Sequence, residues 1–381
     1  MAYFDHNATA PLTAVARAAW LQAQDDAWQN PASGYRAGAR VKALLDRERA
    51  RLAQLLECAD DLLVFTSGAT EGANSVWAHL AARESGAARV LLNPTEHSCV
   101  VAAALRWFPG RVDFVPVDGS GVVVREALQE RLAAGGVAAV AVMAANNETG
   151  VIQPWRELAA DCRAAVVPFF CDAVQWLGKL PAGVLGGADF VIGSAHKFGG
   201  PKGAGFLKLP AGQLGRGFTS LAGGGQQGGR RSGTEDYPAV AAMVAALAEA
   251  ESSFVLQETA RLHWRSQFES AAQAALPGIR IVGSGAERLW NTVLAILPAG
   301  ENTRWLTKLD RRGFQVSTTA ACASAQGRSS AVLAALGVPA AEARRALRFS
   351  AGWETRPEDW DALLAALVDV SRELETGIGA G

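Results

Sequence analysis

At 381 residues, half of them hydrophobic and 19% charged, the chain has a globular composition and is long for one compact core, so two lobes are expected. A formal net charge of −1 gives no global field toward nucleic acid or a membrane surface, and no uncharged apolar run reaches the roughly 18 residues of a bilayer span. The N-terminal "MAYFDHNATAPL" lacks a basic-then-apolar signal pattern, and the five cysteines form no CxxC pair or zinc-like spacing; reduced thiols in a cytoplasmic enzyme are the expectation.

In chain order, residues 13–28 and 36–57 read as amphipathic helices separated by "QNPASGY". Short apolar runs follow at "LLVFTS", "RVLLN", "VDFVPV", "VAAVAVMAAN", "VVPFFCD", "DFVIGS" and "GAGFLKL", separated mostly by helical stretches. Such alternation predicts an α/β fold with a largely parallel sheet covered on both faces. The glycine-rich "LAGGGQQGGRRSGTED" closes this region, and a long helical segment is expected from Pro238 to about Ala275. The remainder reads as a smaller α+β lobe with strands near "IRIVG", "NTVLAIL", "FQVST" and "ALRFS" and a final helix from Pro357 to Glu375. The expected division is a large domain over 13–250 and a small one over 251–381, with residues 1–12 as candidates to complete the small one.

Ligands on such sheets bind beyond the carboxyl ends of the strands, so the polar residues just after the apolar runs carry the functional reading. "FTSGAT" places Gly68, Ala69 and Thr70 at a turn into a helix, where backbone N–H groups and a hydroxyl can meet an anion or simply cap the helix. His97 in "NPTEHSCV" starts the next helix, as a cap, a core residue or a functional ring. Asn146 and Asn147 in "AANNETG" suit a turn or a ligand about equally. Asp172 follows a run too apolar to hold an unpaired carboxylate cheaply; an arginine or a protonated ring nitrogen would satisfy it. Lys197 in "GSAHKFGGPKGAG" ends the next strand among glycines that let a planar ligand approach the backbone, and partial desolvation would make its amine nucleophilic. Ser194 and His196 beside it are candidate phosphate donors. An aldehyde with a ring nitrogen and a phosphate uses each of these groups, and pyridoxal 5′-phosphate (PLP) is that molecule.

The ordered blocks "FDHNATAPL", "FTSGATEGAN", "TEHSCV", "NNETG", "CDAVQWLGKL", "GSAHKFGGPKGAG", "GGGQQGGRRSGTED" and "TTAACAS" resemble the cysteine desulfurases of the NifS/IscS type, class V aminotransferases of PLP fold type I. The resemblance runs from about residue 3 to residue 370. It implies a Schiff-base role for Lys197, a pyridinium partner in Asp172, a phenolate-oxygen donor in Gln175 and a stacking, proton-shuttling ring in His97. It implies a phosphate cup of the Ala69 backbone, Thr70, Ser194 and His196, with Thr234 reaching the other subunit's site in a homodimer. Cys322 is implied as the nucleophile, Arg348 as the holder of the substrate carboxylate, and Asn147 as a helper at both substrate and ring. Taken from the residues alone, Cys322 reads as an incidental loop cysteine and Arg348 as an ordinary strand-end ion pair.

The implied activity converts L-cysteine to L-alanine and leaves sulfur on Cys322 as a persulfide. Delivery would go to an acceptor protein such as an iron–sulfur scaffold, or to tRNA or cofactor thiolation, with no direct nucleic-acid or membrane binding. The family's usual loop Ser-Gly-Ser-Ala-Cys-Thr-Ser is Thr-Thr-Ala-Ala-Cys-Ala-Ser here; Gln226 stands where a histidine is common, and Trp353 where a second arginine is frequent. The alternatives are another class V enzyme, a selenocysteine lyase or aminotransferase that need not depend on Cys322, and a non-catalytic PLP-binding scaffold.

Overall fold

The computed structural model describes residues 2–84, 86–318 and 330–376. Its strands are β1 (Ala2–Tyr3), β2 (Leu63–Thr66), β3 (Arg89–Leu92), β4 (Val112–Phe114), β5 (Val137–Ala141), β6 (Phe169–Asp172), β7 (Phe190–Ser194), β8 (Gly205–Lys208), β9 (Arg280–Ile281), β10 (Thr292–Ile296), β11 (Phe314–Gln315) and β12 (Ala346–Ser350). Seven of them form one sheet in the order β2-β8-β7-β6-β5-β3-β4. Strand β8 is antiparallel to both its neighbours and the other pairings are parallel, so the carboxyl ends of β2, β3, β5, β6 and β7 share one rim.

The period-2 alternation of side chains sorts these strands between two cores. Phe170, Phe190, Ile192 and Leu207 join the cluster around Trp77 and Val100. Their chain neighbours Phe169, Cys171, Val191 and Phe206 join the opposite cluster, with Leu177, Val240 and Val244. Both faces are thus covered, which is why these runs are continuously apolar rather than alternating. The helix Ala14–Asp26 buries Ala16 and Ala23 in this second cluster, its first turn closed by the Thr13 hydroxyl accepting from the Ala16 N–H at 3.1 Å.

A further core gathers Phe268, Trp290, Trp305, Phe349 and Trp360 around the three-stranded antiparallel sheet β12-β10-β9. Fully buried Phe4 belongs to this core, and β1 runs parallel to β11. Of the stretch "FQVST", Phe314 and Gln315 form the short β11, paired with the N-terminus, while Ser317 exchanges two backbone hydrogen bonds with Arg348 of β12 in the three-stranded sheet. The expected long helix is also interrupted: Tyr237–Glu249 is α-helical, Ala250–Phe254 widens into a π turn, Val255–Gln257 tightens to 3₁₀, and Glu258–Ala275 resumes the α-helix. Residues 237–247 are buried all round, whereas the later helix buries one face through Arg261, Arg265, Phe268 and Ala272. The change of winding separates the two environments. Although 237–275 is long and apolar enough to cross a membrane by composition, its first turns are core.

One close approach holds the rim of this sheet. A Cβ on Gly205 of β8 would lie 2.6 Å from the Gly193 carbonyl oxygen and 2.6 Å from the Gly68 Cα, both backbone atoms that no rotamer change can move. Gly205→Ala is therefore expected to lower stability by about 1–3 kcal/mol, read as a reduced melting temperature. Gly187→Ala, where a Cβ meets nothing within 4 Å, should leave the melt unchanged.

Candidate active site

Strand β7 ends at Ser194 and passes into a 3₁₀ turn, Ala195–Lys197. The N-terminal segment lies across this turn, with the Ala10 N–H donating to the His196 carbonyl at 2.7 Å and the Thr13 N–H to that of Gly199 at 2.9 Å. Lys197 Nζ donates to the carbonyl oxygens of Asn7 and Ala8, each at 2.7 Å. His196 Nδ1 lies 3.2 Å from the Thr9 hydroxyl, and burial pulls its pKa down to about 4, so the ring is neutral at physiological pH.

Asp172 is the last residue of β6, buried, with Oδ1 accepting the Val174 N–H at 2.9 Å. Burial pushes its pKa up, and His97 and Lys197 act against that rise. Gln175, on the turn that follows, donates from Nε2 to the Asn7 carbonyl at 3.0 Å and accepts at Oε1 from Lys179 Nζ at 3.0 Å. His97 caps the helix Ser98–Trp107: its Nδ1 accepts the Cys99 N–H at 3.2 Å and lies 3.0 Å from Cys99 Sγ. Burial lowers the His97 pKa, so this ring too favours its neutral form. The helix Ala69–Arg83 begins immediately after Gly68, whose φ of 149° suits glycine. The first-turn N–H groups of this helix have no intrahelical acceptor, and Ser194 Oγ is 3.4 Å from the point a Gly68 Cβ would occupy.

Arg348, on β12, reaches the same region from the other core. Its Nη2 donates to Asp5 Oδ1 at 2.6 Å and its Nη1 to the Asn147 carbonyl at 3.0 Å, with the side chain 6% exposed. Asn146 serves the turn: its Oδ1 accepts from the Glu148 and Thr149 N–H groups and its Nδ2 donates to the Thr95 carbonyl. Thr70 is exposed at the helix start. Thr234 is also exposed, on a loop held by Gly233 N–H to Gln226 Oε1 and by Arg231 to Glu71 in the first turn of the helix Ala69–Arg83. Cys322 lies outside the described residues.

Several residues at the site carried no individual signal in the sequence. Asn7 donates from Nδ2 to the Asn147 carbonyl and the Thr292 hydroxyl and accepts at Oδ1 from Asn291, so its side chain ties the N-terminal segment to the Asn147 turn and to the start of β10. Buried Glu96 accepts the Met143 N–H; desolvation first, then Asp172, raises its pKa well above the usual carboxylate range. Glu148 accepts from the Ser330 hydroxyl at 2.6 Å and is pushed by burial to about 7. The motifs "FDHNATAPL" and "NNETG" marked the neighbourhoods, but these partners are far apart in the chain.

The donor set fits PLP. A primary amine and a buried carboxylate stand at adjacent strand ends, where an aldehyde carbon and a ring nitrogen need them. An amide donor and a histidine ring flank them, and a helix N-terminus with Thr70 and Ser194 beside it can take a phosphate. Comparison with known proteins agrees. Residues 2–363 match the aminotransferase class-V family. Cysteine desulfurase of Cereibacter sphaeroides is 36% identical over 379 residues, covering 98% of this chain and 96% of that protein. Cysteine desulfurase of Rhodobacter capsulatus is 34% identical over 381 residues, covering 98% and 97%. A solved NifS-like protein superposes with a TM-score of 0.89 at 28% identity, covering 97% of this chain and 99% of that one. The chain accordingly belongs to the class-V aminotransferase family and, within it, is a PLP-dependent cysteine desulfurase.

Proposed function

We propose that Lys197, His97 and Cys322 carry the chemistry of this desulfurase, with Arg348 and Asn147 receiving L-cysteine. The observation behind this reading is the placement of the Lys197 amine, between two main-chain carbonyls and one strand from buried Asp172. When bound, PLP supplies an electron sink for the carbanion formed at the substrate α-carbon. Asp172 would hold its ring nitrogen, Gln175 its phenolate oxygen and His97 its face. The Ala69 N–H, Thr70, Ser194 and His196 would hold its phosphate, joined by the partner subunit's Thr234.

Lys197 Nζ, as a neutral amine, takes the α-proton. The Asn7 and Ala8 carbonyls accept from the resulting ammonium and stabilise it without neutralising it. The planar guanidinium of Arg348 is suited to a bidentate grip on the substrate carboxylate. The neutral His97 ring is able to accept a proton and return it. The Cys322 thiolate attacks the substrate sulfur: the S–S bond forms as the C–S bond breaks, the electron pair stays on the β-carbon, which takes a proton, and return of a proton from Lys197 to the α-carbon yields L-alanine. The overall balance is L-cysteine plus a thiol giving L-alanine plus a persulfide. That persulfide then serves an acceptor protein such as an iron–sulfur scaffold, or tRNA or cofactor thiolation.

A homodimer completes this reading. Val15, Trp20 and Leu21 on the helix Ala14–Asp26 are exposed, and Trp28 just beyond it is 70% exposed. An open groove of about 650 Å³ lies beside His196, lined by Pro11, Leu12, Trp20, Pro201 and Ala239. Exposed tryptophans beside an apolar groove support an association surface here. Trp20→Asp should shift the protein from dimer to monomer in sedimentation and release PLP; a dimer that persists with full cofactor would remove this face from the interface.

The assignment of the thiol has its own test. Cys322→Ala should keep the yellow band of the bound cofactor while alanine formation from L-cysteine falls by a factor on the order of 10³ or more. Wild-type protein in a single turnover should show one added sulfur on Cys322 by mass spectrometry. Retained turnover in the variant would instead indicate a lyase that bypasses this cysteine.

A further inference from the structure

The stretch "CDAVQWLGKL" contains a lysine that the chemistry above leaves unused. Lys179 is buried, 5% exposed, and its Nζ donates to Gln175 Oε1 at 3.0 Å. Its backbone is fixed from both sides. The Lys179 carbonyl accepts from Trp290 Nε1 at 3.2 Å. The preceding Gly178, at φ 74°, packs so close to Phe198 that a Cβ would sit 2.5 Å from the Phe198 Cβ. Burial, then the fields of Lys197 and Arg348, pull its pKa down to about 7. An apolar side chain would fill such a space without the desolvation penalty, so the amine needs a reason to be there.

The reason lies in the Gln175 amide. A primary amide has an accepting end and a donating end, and its neighbours decide which way it faces. Lys179 Nζ meets the oxygen as a donor, while the Asn7 carbonyl, acceptor only, meets Nε2 at 3.0 Å. The two contacts agree on one orientation. Asn7 is shared: its carbonyl also accepts from Lys197, so Lys179 supplies the contact that does not depend on what Lys197 is bonded to.

We propose that Lys179 is a positioning residue that locks the Gln175 amide with its oxygen turned away from the cofactor and its N–H₂ presented to the cofactor's phenolate oxygen. The inference rests on the assignment of Gln175 to that oxygen made above. Without Lys179 the orientation rests on the Asn7 carbonyl alone, which Lys197 shares, and a turned amide would bring its oxygen to the phenolate oxygen.

The test is a double-mutant cycle read on the absorption band of bound PLP, titrated with pH in the absence of L-cysteine. An N–H donor stabilises the anionic phenolate oxygen, so losing it raises the proton affinity of the chromophore. Gln175→Leu and Lys179→Met should each raise that affinity by about tenfold, one pKa unit, and the double variant should go no further than either alone. Additive shifts would overturn the proposal, because removing a nearby cation by itself would also raise the affinity. An unshifted K179M beside a shifted Q175L would overturn it as well. A chromophore indifferent to Q175L would instead strike down the assignment of Gln175, and the inference with it. If K179M does not accumulate as folded protein, K179L takes its place in the same cycle.

Discussion

A primary amine held at the rim of a parallel sheet by two carbonyl oxygens is the constraint on which the rest of this site turns. Lys197 reaches Asn7 and Ala8 across 190 and 189 positions of chain, so the N-terminal segment must lie over the end of β7. The same segment sends Asp5 to Arg348, the Asn7 carbonyl to Gln175 and the Thr9 hydroxyl to His196. Phe4 seats its start in the core around Trp360, which ties the sheet rim to the structure that bears β12. One strap of five residues thus spaces the amine, the guanidinium and the amide relative to one another.

The electrostatics follow from that closure. Asp172, Glu96 and Glu148 are carboxyls whose burial raises their pKa, while Lys179, His97 and His196 are bases whose burial lowers theirs. Each shift opposes charge, as expected where water is displaced. Hydrogen bonding decides which groups nonetheless stay in place: Asp172 has the Val174 N–H, Glu148 the Ser330 hydroxyl and Lys179 the Gln175 oxygen. A PLP site benefits from this setting because a buried carboxylate is strengthened by any cation brought to it. The two histidines beside Lys197 add no positive charge to it in their neutral forms.

The strand runs were legible because strands buried on both faces must be continuously apolar, and "LLVFTS", "VVPFFCD" and "DFVIGS" carry β2, β6 and β7. Their polar termini were legible for the same reason, since Asp172 and Ser194 stand out against Phe169–Cys171 and Phe190–Ile192. The helix from 237 to 275 was legible in extent but not in its break, because the π turn answers to a change in surroundings rather than to local propensity. "FQVST" read as a strand of the smaller lobe; Ser317 does bridge to Arg348 of β12, but the sequence did not show that Ala2–Tyr3 pairs with β11.

By itself the sequence determined the alternating α/β order, the candidate residues at the strand ends and, through eight ordered motifs, the family. Only the tertiary structure decided that Asp5 meets Arg348, that Asn7 serves Lys197 and Gln175 together, and that Lys179 is buried against an amide. Periodicity reports how a residue sits relative to its own element. It is silent on partners that lie 168, 190 or 343 positions away, because those distances close only when two separate cores pack around one rim.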